Sequence, residues 1–333
     1  MEQKPRILTG MRPTGPLHLG HYVGALENWI TLQEKYACYF LIADYQALGD
    51  YSDDIPRIRQ SVIDVTLDWL AVGLNPNDHK FVIQSYIPEH AELAMLLGTL
   101  VTLPRLHRNP TLKGEMDQQK ASDITVAFYT YPVSQVADIL LPKAHLVPVG
   151  EDQMPHIELT REVARKFNRT YEDIFPEPKG LVGRIPRLVG IDGQAKMSKS
   201  LDNAIYLSDD KETVNQKVRR MFTDPTRLRA TDPGHVENNP VFMYHDAFNT
   251  DHAQLEDLKT RYRAGRVGDV EVKNILAEHL NNFLDPIREK RHYYEKNPSL
   301  VRDALLQGTN HAKILAEETM REVRESMGIK QYV

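Results

Sequence analysis

One cysteine, Cys38, stands in 333 residues, so the chain can form no internal disulfide and no multi-cysteine zinc or iron–sulfur site. Long apolar runs are missing as well. The longest mostly apolar stretch, Ala94 to Leu103, is about half of the ~20 residues that a membrane span needs. The opening residues, Met1-Glu2-Gln3-Lys4-Pro5-Arg6, hold no apolar core, so a secretory leader is not expected. Positive charge is not in excess: 41 Lys and Arg against 46 Asp and Glu give a formal net charge of −5. That argues against indiscriminate binding to nucleic acid, DNA included, but leaves room for a local basic face. No internal repeat or low-complexity tract occurs. These absences point to a cytoplasmic location away from membranes.

A chain of 333 residues with 41% hydrophobic and 26% charged side chains suits one large α/β domain with a smaller appendage. Arg6 to Gly10 reads as a short buried strand ending at a glycine. A turn-rich Arg12-Pro13-Thr14-Gly15-Pro16 follows, then a helical pattern from about His18 to Tyr36. Cys38 to Ala43 and Lys80 to Gln84 are further apolar strands; between them Pro56 opens a helix with Ile58, Val62, Val65 and Trp69 on one face. His145 to Val149 is one more strand. Gly150-Glu151-Asp152 then starts a helix to about Asn168, and Pro176 to Gln194 reads as a loop. Strands alternating with helices predict a Rossmann-like α/β fold, a doubly wound parallel sheet with its ligand crevice beyond the carboxyl ends of the strands. Gly10 to His21, Asp44 and Gln84 would border that crevice. After Asn203 the pattern is mainly helical, so the expected organisation is a Rossmann-like domain over 1–204 and a helical domain over 205–333.

Two stretches carry chemistry. His18-Leu19-Gly20-His21 lies where the first strand passes into a helix. Helix N-termini offer unpaired N–H groups and a positive dipole end, which suits phosphate, and Gly20 permits close approach of a ligand to the backbone. His18 and His21 could hydrogen-bond phosphate charge as it shifts; a metal pair is the other reading and would need a third ligand. Far downstream, Lys196-Met197-Ser198-Lys199-Ser200 places two lysines and two hydroxyls in a loop. Such a loop can clamp a polyphosphate, with lysine as a point charge, or be merely a solvated basic segment. Residues 211–230 hold Lys211, Lys217, Arg219, Arg220, Arg227 and Arg229 against Glu212 and Asp224, which is either a solvated face or a contact for a polyanion.

In this order and context, HLGH and KMSKS resemble the two signatures of class I aminoacyl-tRNA synthetases. The likeness extends over nearly the whole chain. Gly10-Met11-Arg12-Pro13-Thr14-Gly15 resembles the Gly-x-Gln-Pro-Ser-Gly opening of the bacterial tryptophanyl type. Tyr131 to Leu140 resembles its Tyr-Pro-x-Leu-Met-Ala-Ala-Asp-Ile-Leu helix, and Val147 to Gln153 matches outright, with His156 to Arg161 following. Phe222-Thr223-Asp224-Pro225 is also similar to that family.

The resemblance implies a two-step enzyme. An amino-acid carboxylate attacks the α-phosphorus of ATP, pyrophosphate leaves, and a terminal adenosine hydroxyl of tRNA then takes the aminoacyl group. L-tryptophan, ATP with Mg²⁺ and tRNA(Trp) are the implied partners, with a homodimer as the assembly, an anticodon contact for the helical domain, and no resident metal site. His18, His21, Lys196 and Lys199 would face the phosphate charge of the transition state. Met11, Arg12, Thr14, Gly20, Lys113, Gly150, Glu151 and Asp152 would lie on the ATP side, with Leu188, Met197, Ser198 and Ser200. Asp138 would accept from the indole N–H, a donor only, with Leu8, Asp44, Tyr131, Gln135 and Gln153 around the amino acid.

Some positions depart from the family pattern. Arg12 replaces the usual Gln, Gln135 the usual Met, and His18-Leu19-Gly20-His21 the usual Thr-Ile-Gly-Asn. Tyr131, Gln135 and Asp138 also reproduce the Tyr-x3-Gln-x2-Asp spacing of tyrosyl enzymes, which keeps tyrosine as the alternative substrate. Leu8, where those enzymes usually place a tyrosine, and the Gly-Glu-Asp-Gln segment favour tryptophan. A non-catalytic RNA-binding paralogue would be expected to lose His18, Gly20 or Lys196, and all three are present.

Overall fold

The computed structural model describes residues 4–117, 120, 124–182, 188–193, 197, 201–224, 226–227, 229 and 231–329. Among the described residues, five parallel strands form one sheet in the order β3-β2-β1-β4-β5: β1 Arg6–Met11, β2 Ala37–Ile42, β3 Lys80–Ile83, β4 Leu146–Val149 and β5 Lys179–Val182. The fold is therefore the doubly wound α/β sheet that the sequence predicts, with one addition. β5 falls inside Pro176 to Gln194, read from the sequence as a loop. Its four residues, Lys-Gly-Leu-Val, are partly exposed on the sheet edge and show no apolar alternation, so neither length nor pattern reveals it.

The strand period of two sorts the side chains into two cores. Ile7, Phe40, Ile42 and Phe81 face one way, under Trp29 and Trp69. Leu8, Leu41, Val82 and Val147 face the other, against Leu93, Val136, Ile139 and Phe167. Burial on both sides is why the central strands read as continuous apolar runs. On the first face Trp29, Phe40, Trp69 and Phe81 form an aromatic cluster, with ring centroids 5.5 Å apart for Trp29–Phe40 and 5.4 Å for Trp69–Phe81.

The first helical stretch is not regular. α1 (Leu19–His21) runs into a π turn over Tyr22–Leu26 before α2 (Glu27–Leu32). A π turn widens the helix by a residue per turn and is frequent at functional sites; here it brings Gly24 and Ala25 to the cavity wall. α3 (Asp44–Asp50) follows β2. α4 (Ile55–Val72) begins with Asp54 accepting from the Arg57 N–H at 3.2 Å and Pro56 in its first turn, and stops at Gly73 in the left-handed conformation. Between β3 and β4 come α5 (Glu89–Gly98), α6 (Leu103–His107), α7 (Pro110–Met116) and α8 (Val126–Leu140). After β4, a 3-10 turn over Glu151–Gln153 leads into α9 (Met154–Thr170).

The remaining helices are α10 (Lys211–Arg219), α11 (Pro240–Phe248), α12 (His252–Arg263), α13 (Asp269–Lys296) and α14 (Pro298–Ser326). α13 lies along α4. α14 returns to the sheet and covers β3, where Gly308 has no side chain to hold the helix off the Phe81 backbone. The Thr309 hydroxyl accepts the edge N–H of Ile83 at 3.0 Å, so this edge of the sheet is covered and its donor used. No described helix is long and apolar enough to cross a membrane.

Candidate active site

A cavity of about 650 Å³ opens at the carboxyl ends of β1 and β4, where the strand order changes direction. Leu8, Leu41, Ala43, Ile139 and Val147 form its apolar wall. Tyr131, Ser134, Gln135 and Asp138 enter from α8; their spacing of three, four and seven residues puts them on one helical face.

Asp138 is 2% exposed, so its carboxylate must be paired inside the protein. The Gln46 Nε2 donates to Oδ2 at 2.7 Å and the Gln84 Nε2 to Oδ1 at 2.7 Å, while the His90 Nδ1 stands 2.8 Å from Oδ1. Gln84 also accepts the Tyr45 N–H on its Oε1 at 3.1 Å, which decides which end of the amide faces Asp138. Gln46 shares the cavity wall with Asp138, whereas Gln84 is fully buried behind it. The sequence placed Gln84 at the crevice but gave no reason to single out Gln46 or His90. Gln46, two residues after Asp44 at the end of β2, was within reach of the strand-end rule.

Tyr131 belongs to a second network. The Asn109 Oδ1 accepts from the Thr111 and Leu112 N–H groups, so its NH₂ faces His156 Nδ1 at 3.3 Å. That leaves the His156 proton on Nε2, 3.0 Å from the Tyr131 oxygen. Burial pushes the imidazole down to about 4, so it is neutral. Burial, and then the Glu115 carboxylate, push the Tyr131 phenol up, so it keeps a proton that it can donate to Glu115.

Leu8, Met11, Arg12, Tyr131, Gln135, Asp138, Gly150 and Gln153 all line this cavity. Asp44 does not. It accepts from the N–H (2.9 Å) and the hydroxyl of Ser85, tying α3 to the residues after β3. Glu151 and Asp152 are exposed in the turn after β4. The Thr111 hydroxyl donates to the Asp152 carbonyl at 2.7 Å, which fastens α7, with its exposed Lys113, to that turn.

The histidine signature lies beside the cavity. His18 is largely buried, and its ring lies 3.7 Å from that of His21 between centroids. The His18 N–H donates to the His21 Nδ1 at 3.1 Å, which assigns the His21 proton to Nε2. Thr14 is half-buried in the turn before them. Leu188 and Met197 are buried with Leu17 and Leu19 in one apolar cluster. A Cβ on Gly20 would stand 3.1 Å from the Met197 Sδ, so the second signature reaches the first. Lys196, Ser198, Lys199 and Ser200 lie outside the described residues.

The basic stretch divides in two. Lys211, Arg219, Arg220 and Arg229 are exposed. Lys217 and Arg227 are not part of any surface face. Lys217 is paired with Asp209 at 2.7 Å beneath the Tyr206 ring, and Arg227 donates to Asp269 (3.3 Å), the Asp232 carbonyl (2.9 Å) and the Val267 carbonyl (2.8 Å). Charge runs suggest exposure only on average; these two cations found internal acceptors.

The histidine signature at the first strand–helix junction thus stands beside an apolar-walled cavity with a buried carboxylate, at the switch point of a doubly wound sheet. The chain belongs to the tRNA synthetases class I (W and Y), a family it matches over residues 1–285. It is 48% identical to a Tryptophan--tRNA ligase of Chlamydia caviae, covering 99% of this chain and 98% of that one. With a Tryptophan--tRNA ligase of Treponema pallidum it shares 49% identity over 97% of both. Among solved structures, tryptophanyl-tRNA synthetase from Campylobacter jejuni, complexed with ADP and tryptophan, superposes with a TM-score of 0.86 at 32% identity, covering 97% of this chain and all of that one.

Proposed function

We propose that this chain activates L-tryptophan with ATP to tryptophanyl-adenylate and transfers the aminoacyl group to the 3′ end of tRNA(Trp). The observation that carries the reading is Asp138, a buried carboxylate at an apolar cavity wall, with an acceptor oxygen on the cavity side beside Gln46. A site built around a buried acceptor takes an aromatic group bearing an N–H and rejects one without a donor. Leu8 supports tryptophan over tyrosine because it adds apolar surface and no second polar partner. Relatives at 48% and 49% identity bear the tryptophan name.

In the first step the substrate carboxylate forms a bond to the α-phosphorus and the bond to the pyrophosphate breaks. No side chain becomes a covalent intermediate. His18 and His21 face the phosphate charge, with Arg12, Thr14, Gly20, Gly150 and Asp152 on the nucleotide side and Lys113, Lys196 and Lys199 toward the leaving pyrophosphate. Mg²⁺ arrives with ATP as part of the substrate. Gln135, Tyr131 and Gln153 border the amino acid.

Residues 205–333 serve as the tRNA-contacting part, reaching the anticodon through exposed cations such as Arg219 and Arg220. The assembly is a homodimer. Exposed Met95, Leu103 and Val126 stand on α5, α6 and α8, which pack together, and offer apolar area for a twofold contact.

Pyrophosphate exchange with each amino acid in turn tests the reading. Tryptophan should support it and tyrosine only poorly. Faster exchange with tyrosine would transfer the assignment to that amino acid.

A further inference from the structure

Asp68, in the last turns of α4, is a carboxylate with 0% exposure. Its Oδ2 accepts the Leu17 N–H at 2.8 Å, one residue before His18. Its Oδ1 accepts the Nε of Arg291 at 2.9 Å, from α13. The Arg291 guanidinium is itself mostly covered; its remaining nitrogens meet Asp64 at 3.4 Å and Glu295. One buried carboxylate therefore joins the residue before the histidine signature to a helix that begins some 250 residues later.

The same loop is stitched from the opposite side. The Leu207 N–H donates to the Leu17 carbonyl at 2.9 Å, and the Leu19 N–H donates to the Ile205 carbonyl at 2.9 Å. Both backbone groups of Leu17 are thus used, one by a side chain and one by the segment after KMSKS. His18 inherits its position from these bonds.

A buried ion pair is a poor way to gain stability, because desolvating two charges offsets most of their attraction. Burial pushes the Asp68 carboxyl up to about 6, and the Arg291 charge and the Leu17 N–H pull it back only in part. An apolar pair would fill this space at lower cost, but it could not accept the Leu17 N–H. What the carboxylate supplies is a fixed direction for that donor.

We propose that Asp68 and Arg291 are positioning residues for adenylate formation, acting through the Leu17 backbone to hold His18 and His21 in register. The link rests on reading Leu17 to His21 as the nucleotide-side loop. It also ties that loop to α13, so the placement of the helical part of the chain bears on the first chemical step. Misplacing reacting groups by about 1 Å can cost about 100-fold in rate.

The experiment measures tryptophan-dependent pyrophosphate exchange and thermal unfolding for Arg291→Gln, Asp68→Asn and the double variant, with His18→Ala as control. Expected is a loss of about tenfold or more in kcat with the KM for tryptophan within about twofold of wild type. The double variant should lose no more than the worse single one, because both act through one link. Folded variants with wild-type kcat, while His18→Ala is slow, would overturn the positioning role alone. An unchanged rate in His18→Ala would overturn the reading of the loop, and the proposal with it. A KM for tryptophan that rises as far as kcat falls would mark general distortion and also overturn it. Should either single variant fail to fold, Arg291→Lys decides the matter. It keeps the charge but not the directed Nε donor, and the proposal requires a kcat between those of wild type and His18→Ala at an unchanged melting temperature.

Discussion

Gly20 and Met197 are in contact: a Cβ on residue 20 would stand 3.1 Å from the Met197 Sδ and 3.0 Å from the His18 Nδ1. The two signatures, far apart in the chain, meet at a position without a side chain. Gly20→Ala should therefore push Met197 or His18 aside. The shift needed is a few tenths of an ångström, so adenylate formation is expected to slow about two- to tenfold, less than the roughly 100-fold of a 1 Å misplacement, while the melting temperature stays near that of wild type. An alanine variant that keeps wild-type kcat would show that neither neighbour needs its present place.

Asp138→Asn has a defined consequence. Gln84 cannot turn its amide without giving up the Tyr45 N–H, so it continues to donate to residue 138. The asparagine NH₂ is then driven to the Gln46 side, which is the cavity side. An indole N–H would meet a donor there instead of an acceptor. Loss of a hydrogen bond to a charged group is worth ~1.5–3 kcal/mol, or about 10- to 100-fold in kcat/KM for tryptophan. The KM for ATP should change little. If unfolding shifts but kcat/KM for tryptophan in the folded enzyme does not, Asp138 only stabilises α8.

Arg219 and Arg220 are two of the four exposed cations left in the basic stretch, with Lys211 and Arg229, once Lys217 and Arg227 are set aside. Replacing both with Gln should flatten the salt dependence of tRNA binding, by about 0.7–0.9 in the log–log slope for each phosphate no longer neutralised. An unchanged slope would make them an ordinary solvated face. The variants should fold normally, because neither side chain is buried.

His245 gives a pH prediction. It is fully buried, its Nε2–H donates to the Val272 carbonyl at 3.0 Å, and its Nδ1 accepts from Asn249 at 3.3 Å. Burial holds it down to about 4. An unfolded histidine titrates near 6.5, so between about 4 and 6.5 the unfolded chain binds the extra proton and the fold gains stability as pH rises. His156 has the same sign. Asp68, raised to about 6, has the opposite sign, its contribution being lost as pH rises through that value. Comparing His245→Gln with wild type isolates the histidine: the destabilisation seen in urea at pH 7 should shrink by roughly 1–3 kcal/mol at pH 4.5. A penalty independent of pH would show that His245 titrates normally.

The α/β class, four of the five described strands, the two signatures and the family they resemble are all legible in the amino-acid order. Each depends on local pattern: apolar runs such as Cys38 to Ala43, a glycine between two histidines, a face repeating at Tyr131, Gln135 and Asp138. Tertiary structure alone decided that Lys217 and Arg227 turn inward, that Asp44 is spent on Ser85, and that four short edge residues after Pro178 pair with β4. It also decided that Gln46, Gln84 and His90 converge on Asp138, and that Asp68 meets Leu17 on one side and Arg291 on the other. The physical reason is common to all of these. A buried charge or amide needs a partner, but the partner is supplied by whichever element the chain topology brings alongside, at separations of tens to hundreds of residues, where no periodicity in the sequence records it.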